Sequence, residues 1–394
     1  MHALERFALG TGVKIKKPQI YQDYFPITED KYITFSPHGL ESNNYKYWNE
    51  VLELISDKLK EKNISILQFG KKENLIKGCK HIDMPTYSQA AFVISKSLLH
   101  VGVDSCFIHF ANSLNKKIVG LYSHVLASHK GPFWKDNDKH IVLEPDRADG
   151  SKPSFSASER DPKAIDSIEP EEIAAAICKL LNIDFNYEYS TKCCGRDYHM
   201  NFVDIVPDTP IETYKNFLVG NFRVRMDLHF DEQIFDNYLN FASQVEVITN
   251  KPIKFDLLNK YKDKIKSIIF KYDEDTPELS GWIERTPVLK TNFAFVSFLP
   301  EEKQNEFKLK YMDFALLQSL ESNTKETFDL ETTDNLYYKS NKIILSNGKF
   351  YPSIYCLKRD MPVNGPVKEI LPVVDEPDFW KDSDDFIILK KEVD

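Results

Sequence analysis

Between residues 31 and 182 short apolar runs alternate with amphipathic segments, and this alternation constrains the fold more than any other feature. KYITFS (31–36), ISILQFG (64–70), LLHVGV (98–103) and KIVGLYS (117–123) read as buried strands. Residues 47–61 place Trp48, Val51, Leu52, Leu54, Ile55 and Leu59 near one helical face. Residues 86–97 read as a helix with Thr86 or Ser88 available as cap, and 108–115 as a shorter one. SIEPEEIAAAICKLLN (167–182) is a strong amphipathic helix with Pro170 in its first turn. Strands alternating with helices predict a parallel sheet covered on both faces. No GxGxxG occurs, so the dinucleotide fingerprint is absent.

Asp104 and Ser105 stand where LLHVGV ends and a helix begins. Ligands of open parallel sheets sit off the carboxyl ends of the strands. A helix start there offers free N–H groups and a positive dipole end, which suit phosphate. The same two residues also fit a plain helix N-cap, and spacing leaves both readings open.

With 394 residues, the chain is long enough for two or three domains. A net charge of -9 argues against a general nucleic-acid binder, which needs clustered Lys and Arg. MHALERFALGTG has early charges and no long apolar core, so it does not read as a signal peptide. No run reaches the ~20 apolar residues needed to span a bilayer, and no transmembrane segment is expected. Six cysteines without a CxxC pair suggest a reducing compartment, hence a cytoplasmic protein. Adjacent Cys193 and Cys194 near His199 could form part of a zinc site; buried or idle thiols are the default, and no metal or cofactor is expected.

The segment VGVDSCFIHFANSLNKKIVGLYS (101–123) resembles the donor-binding signature of glycosyltransferase family nine, the ADP-heptose:lipopolysaccharide heptosyltransferases. Asp104, Ser105 and His109 fall on its Asp, Ser and His. SPHGLESNNYKYW resembles the family's P-G-A…K-x-W segment, with Lys46 and Trp48 on the Lys and Trp. ISILQFGKKEN resembles a strand ending in glycine with an acid after it, which matches Glu73, and HKGPFW resembles the loop that closes over the donor. Three positions depart from the pattern: Cys106 for glycine, Lys117 for proline, Ser123 for glycine. The resemblance implies a nucleotide-sugar site in which the helix after Asp104 and the ammonium of Lys46 stabilise a departing diphosphate without a metal. It implies donor contacts from Lys46, Glu73, Asp104, Ser105, His109, His124 and Lys130, with His129 on the same loop as the last two. In the family an acceptor domain precedes the donor domain, joined near an H-x-[VL]-x-R-[YF] segment. Here that segment, His2 to Phe7, opens the chain, so the usual first domain is expected to be missing.

Residues 183–394 match no motif of the family. NFRVRMDLHF (221–230) alternates Phe222, Val224, Met226 and Leu228 with Arg223, Arg225, Asp227 and His229, the pattern of a half-buried strand. NFVDIVPD, QVEVITN, KSIIFKY and NFAFVSFL read as further strands; EQIFDNYLNFAS, FDLLNKYKDKI and 301–310 read as helices. This predicts a second Rossmann-like unit. KIILSNGKFYPS is a hairpin signal with Asn347-Gly348 as its turn. The acidic tail from Asp375 reads as a peripheral strand or arm, and the basic run 259–266 as a solvated helix face.

The sequence therefore predicts an α/β protein of two Rossmann-like domains, a B-type glycosyltransferase fold in permuted order. A donor domain spans 1–183 and an acceptor domain 195–394, with the site between them. The expected activity is metal-independent, inverting transfer of a sugar from a nucleotide-sugar donor to a saccharide or glycolipid-like acceptor. Asp227 and His229 are the candidates for the base, since they share a face if their segment is extended. A nucleotide-sugar epimerase, or a non-catalytic carbohydrate- or nucleotide-binding module, are the alternatives.

Overall fold

The computed structural model describes the chain except residues 84–85, 148–152, 154–155, 157, 160–162, 196–197, 199–202, 215–221, 275, 298, 312–316, 320–329, 366–368, 381–385 and 393–394. His199 lies outside the described residues. The chain divides into two compact units. Unit 1 is Met1–Lys192 with Lys390–Asp394, and unit 2 is Cys193–Leu389.

Unit 1 begins with α1 (Ala3–Thr11), whose N-cap His2 forms a capping box with Glu5. The alternation then follows: β1 (Tyr32–Ser36), α2 (Trp48–Glu61), β2 (Ser65–Gln68), β3 (Lys80–His81), α3 (Tyr87–Lys96), β4 (His100–Val103), α4 (Cys106–Ser113), β5 (Ile118–Leu121), α5 (Ala127–Lys130), β6 (His140–Leu143) and α6 (Pro170–Leu181). All six strands are parallel, in the order β3-β2-β1-β4-β5-β6. α3 starts as expected, with a capping box between Thr86 and Gln89. On one face α3 and α4 bury Ala90, Val93, Ile94, Ile108 and Ala111 against Leu67, Phe69 and Ile118. Trp48 of α2 packs edge-on against Phe35 of β1, with ring centroids 4.8 Å apart.

Gly102 lets β4 lie against β1. A Cβ there would stand 2.6 Å from the carbonyl oxygen of Ser36 and would also collide with its hydroxyl. Strand order reverses at this pair: the chain leaves β1 toward β2 on one side, and β4 lies on the other. The loops leaving β1 and β4 are in contact, since a Cβ on Gly39 would sit 3.1 Å from Val103 and 3.2 Å from the Asp104 carbonyl.

β7 (Tyr189–Cys194) leads to unit 2. There the chain runs β8 (Val203–Ile205), α7 (Ile211–Tyr214), β9 (Phe222–Arg225), α8 (Glu232–Phe241), β10 (Val245–Thr249), α9 (Phe255–Lys260), β11 (Ile265–Lys271), α10 (Pro277–Arg285), β12 (Asn292–Ser297), α11 (Glu301–Lys310) and β13 (Leu317–Ser319). β14 (Leu336–Ser340), β15 (Ile343–Ser346), β16 (Lys349–Tyr351), α12 (Ile354–Lys358), β17 (Ile370–Pro372), α13 (Pro377–Trp380) and β18 (Phe386–Lys391) complete it. The large sheet has the order β13-β12-β11-β10-β9-β8-β15-β16, parallel except for the β15-β16 hairpin. Asn347 and Gly348 make that hairpin's turn with φ of 48° and 73°, as the Asn-Gly signal predicts.

The strand order of unit 2 differs from the expected Rossmann-like one. From β8 to β13 it proceeds in one direction without reversing. Right-handed crossovers then place successive helices on one face. Accordingly Phe235, Leu239, Leu258, Leu279, Trp282 and Phe307 share one core with Phe222, Val224, Val247, Ile268 and Phe295.

Three segment readings are also corrected. The strand expected over 221–230 ends at Arg225, because Leu228 N–H turns back to the Arg225 carbonyl at 3.1 Å. The helix expected over 255–265 ends at Lys260, and Lys264 instead donates to the Leu239 and Asn240 carbonyls at the end of α8. The acidic tail does hold a strand, but not a peripheral one: β18 lies between β14 and β7 in a four-stranded sheet and buries Phe386, Ile387, Ile388 and Leu389.

Candidate functional site

The order reversal in unit 1 opens a crevice at the carboxyl ends of β1 and β4, where ligands of such sheets bind. Three segments reach it. After β1 comes the turn Glu41–Asn43, after β4 come Asp104 and Ser105, and after β5 come Tyr122 to His124.

Ser105 occupies the N-cap position of α4, yet its hydroxyl makes no capping hydrogen bond. Its buried Oγ has no partner among the described residues. Nor does the carboxylate of Asp104 accept a hydrogen bond among the described residues, although its N–H is held by the Leu121 carbonyl. The plain-cap reading of the two residues therefore has no bond to support it. Four more buried polar atoms in these segments find no partner among the described residues: Ser42 Oγ, Asn43 Nδ2, Tyr122 OH and Ser123 Oγ. Native structures rarely leave such groups unsatisfied, and a cluster of them calls for an explanation.

Asp104, His109, His124 and Lys130 form one electrostatic group. Burial pushes the Asp104 carboxyl above its ordinary value, and His109, His124 and Lys130 oppose that shift. Desolvation likewise holds the two imidazoles below their usual value, with Asp104 pulling the other way. His124 is buried, and its Nδ1 lies 2.8 Å from Asn43 Oδ1, so Nδ1 carries the hydrogen and donates. His124, His129, Lys130 and Arg6 line a cavity of about 540 Å³ with Met1, Ala3 and Val125. His2 closes one side of this region, its Nε2 lying 3.0 Å from the Gly131 carbonyl oxygen.

The other expected donor residues sit differently. Lys46 pairs with Asp166 at 3.6 Å, and the Lys46 N–H donates to the same carboxylate at 3.0 Å. Glu73 is exposed and makes a surface pair with Lys71 at 3.4 Å. Cys106 opens α4 and is exposed. Asp166, Ser42 and Asn43 were missed by sequence reasoning. The orphaned polar atoms show only once the backbone has folded, although the Ser-Asn-Asn run after a strand was a legible turn signal.

Residues 9–155 match the family model of glycosyltransferase family 9 (heptosyltransferase). The match holds Lys46, Glu73, Asp104, Ser105, His109, His124 and Lys130, and covers less than half of the 394 residues. No curated protein matches the chain. Among solved structures the chain is similar to ADP-heptose LPS heptosyltransferase II of E. coli, with 17% identity and a TM-score of 0.30, over 40% of this chain and 48% of that one. It is also similar to the family 9 glycosyl transferase of Veillonella parvula, with 18% identity and a TM-score of 0.32, over 45% of this chain and 50% of that one. The chain thus spans about half the length of these two structures.

In unit 2, outside the family 9 match, Asp227 and His229 do not share a strand face, because the turn after Arg225 separates them. Asp227 is buried and gripped by Arg225, Nε to Oδ1 at 2.8 Å and Nη2 to Oδ2 at 2.9 Å. Lys271 Nζ adds a contact at 2.7 Å. Burial works to raise the Asp227 pKa, but Arg225 and Lys271 overcome it and hold the carboxyl well below the usual range. His229 is exposed. No helix among the described residues is long and apolar enough to cross a membrane. No three His, Cys, Asp or Glu side chains converge on a metal position among them.

Proposed function

We propose that the protein is a glycosyltransferase whose unit 1 holds a nucleotide-sugar donor at the carboxyl edge of its sheet. The observation that carries this reading is the cluster of orphaned polar atoms around the start of α4: Ser42 Oγ, Asn43 Nδ2, Ser105 Oγ and Ser123 Oγ. It lies within the family 9 segment and beside a cavity lined by Arg6, His124, His129 and Lys130. A diphosphate would satisfy hydroxyl and amide donors that the protein leaves unmet, and the α4 dipole favours its charge.

In this reading the bond from the sugar's anomeric carbon to the diphosphate breaks while an acceptor hydroxyl attacks from the opposite face, inverting the centre. The departing charge meets the first N–H groups of α4, Ser105 and the ammonium groups of Lys46 and Lys130, an arrangement that needs no metal ion. Asp166 positions Lys46. Asp104 is an anion or a neutral acid and would repel phosphate when charged. Its place is against the sugar hydroxyls, with His109 and His124 as its partners. Unit 2 would supply the acceptor site, in the order donor then acceptor, with a saccharide as acceptor, although its one-directional strand order departs from the second Rossmann-like domain of a B-type fold. Of the two candidate bases His229 is the better, because Asp227 is committed to Arg225 and Lys271.

The test is a thermal-shift and turnover panel of ADP-, GDP-, UDP- and CDP-sugars. Ligand at 100 times its Kd stabilises the native state by about 2.7 kcal/mol, which is readily seen. One nucleotide class should raise the melting temperature and release nucleoside diphosphate. If no nucleotide sugar binds, the reading fails; if one binds and no nucleoside diphosphate is released to water or to a panel of added saccharide acceptors, the protein is a binding module.

A further inference from the structure

Unit 2 carries a chain of buried charges remote in sequence from the family 9 segment. Arg223 of β9 donates to Asp204 of β8 at 2.7 Å, and Arg225 donates to the other oxygen of Asp204 at 2.6 Å. Arg225 also holds Asp227, which in turn holds Lys271 at the end of β11. These side chains alternate with Phe222, Val224 and Phe270, which enter the helix-side core, so they occupy the opposite face of the sheet. Arg225, Asp227 and Lys271 stand at the carboxyl ends of β9 and β11, where such sheets bind ligands.

The bonding of two members is incomplete. Arginine has five N–H donors in a rigid fork. Arg225, 2% exposed, uses three of them, two on Asp227 and one on Asp204. One N–H on Nη1 and one on Nη2 have no partner among the described residues. Lys271 spends one of its three hydrogens on Asp227, and its side chain is 28% exposed, so the buried network reaches solvent at this ammonium. A fourth cation, the buried Lys342 just before β15, acts on both Asp204 and Lys271. A purely structural network gains nothing from donors left unmet in a buried guanidinium.

We infer that unit 2 has an oxyanion-binding site, in which the spare N–H groups of Arg225 and the ammonium of Lys271 take a phosphate or carboxylate group of a small molecule. Asp204 and Asp227 hold the cations in place and set their spacing; the ligand oxygens take the hydrogens that remain. The inference does not rest on the nucleotide site proposed in unit 1.

Titration calorimetry on the full chain tests this with inorganic phosphate, glucose 6-phosphate, glucuronate and glucose, and with ADP in parallel. Inorganic phosphate and one or both anionic sugars should bind and glucose should not; the anionic sugar that binds identifies the group. Lys271→Met should weaken that binding about tenfold or more, the worth of a hydrogen bond to a charged group. Lys271→Arg, which keeps the charge, should restore it, and Lys266→Met on the exposed side of β11 should leave it alone. Oxyanion affinity unchanged in Lys271→Met would overturn the inference. So would anionic sugars binding no better than glucose, or a loss in Lys271→Met that Lys271→Arg does not repair. ADP also carries phosphate, so ADP binding that survives Lys271→Met belongs to unit 1, and ADP binding lost with inorganic phosphate in that variant belongs to this site.

Discussion

Replacing Ser105 with alanine separates the two roles a serine at the start of α4 can play. A serine that caps its helix contributes about 1 kcal/mol, and Ser→Ala would lower stability by that amount. Here the hydroxyl makes no capping bond and its oxygen is buried without a partner among the described residues. Burying an unsatisfied hydroxyl costs about 1–3 kcal/mol, so its removal should leave the unliganded protein as stable as before or more stable by about 1 kcal/mol. A hydrogen bond to a charged phosphate is worth about 1.5–3 kcal/mol, so nucleoside diphosphate affinity should fall about 10- to 150-fold. Stability and affinity therefore move in opposite directions. Thermal melts of the free protein and calorimetry with the nucleotide that the panel selects measure both. A lower melting temperature with unchanged affinity would refute the reasoning and return Ser105 to the role of a cap.

Three further outcomes are expected. Lys46→Ala should slow sugar transfer by about 2 to 4 kcal/mol in transition-state terms; because Lys46 pairs with the buried Asp166, Lys46→Met with Asp166→Asn should recover stability without recovering turnover. Gly102→Ala should cost about 3 kcal/mol in thermal or denaturant unfolding, since its Cβ meets the Ser36 backbone as well as the side chain, and Ser36→Ala should rescue it only in part. His100, fully buried between Thr34 and Ser36, has its pKa lowered by burial to about 3. It stays neutral in the native state while the unfolded chain takes up a proton near the ordinary value. Its contribution to stability is therefore complete above pH ~6.5 and is lost as pH falls toward 3, at up to ~1.4 kcal/mol per pH unit. Urea midpoints of the parent and His100→Gln across this range should differ in slope, and parallel curves would sink the assignment.

The fold of unit 1 was largely legible because its signals are local. The apolar runs at 31–36 and 98–103 fall on β1 and β4, and Thr86 caps α3 by the expected box. The glycine of the Val-Gly-Val-Asp motif reads in sequence as part of a binding signature, yet its neighbours show a packing role, the approach of β4 to β1. The candidate site was legible in part. Asp104, His109, His124 and Lys130 do act on one another. Asn43 and Asp166 could not be found by spacing, since they meet His124 and Lys46 across 81 and 120 residues.

Unit 2 misled for a different physical reason. Alternation of Phe222 and Val224 with Arg223 and Arg225 reads as one buried and one solvated face, by a rule that equates polarity with exposure. The structure buries both faces: Arg225 is 2% exposed and Asp204 0%. Isolated charges would not tolerate this, but charges that neutralise one another through short, aligned hydrogen bonds do. The partners of Arg225 lie two residues ahead on its own segment and 21 residues back on the neighbouring strand, so no window of local periodicity contains the set. Such a network seldom adds stability over a well-packed apolar core. Its presence at the carboxyl ends of β9 and β11, with two guanidinium hydrogens unmet among the described residues and an ammonium that reaches solvent, is therefore better explained by something it binds than by what it holds together.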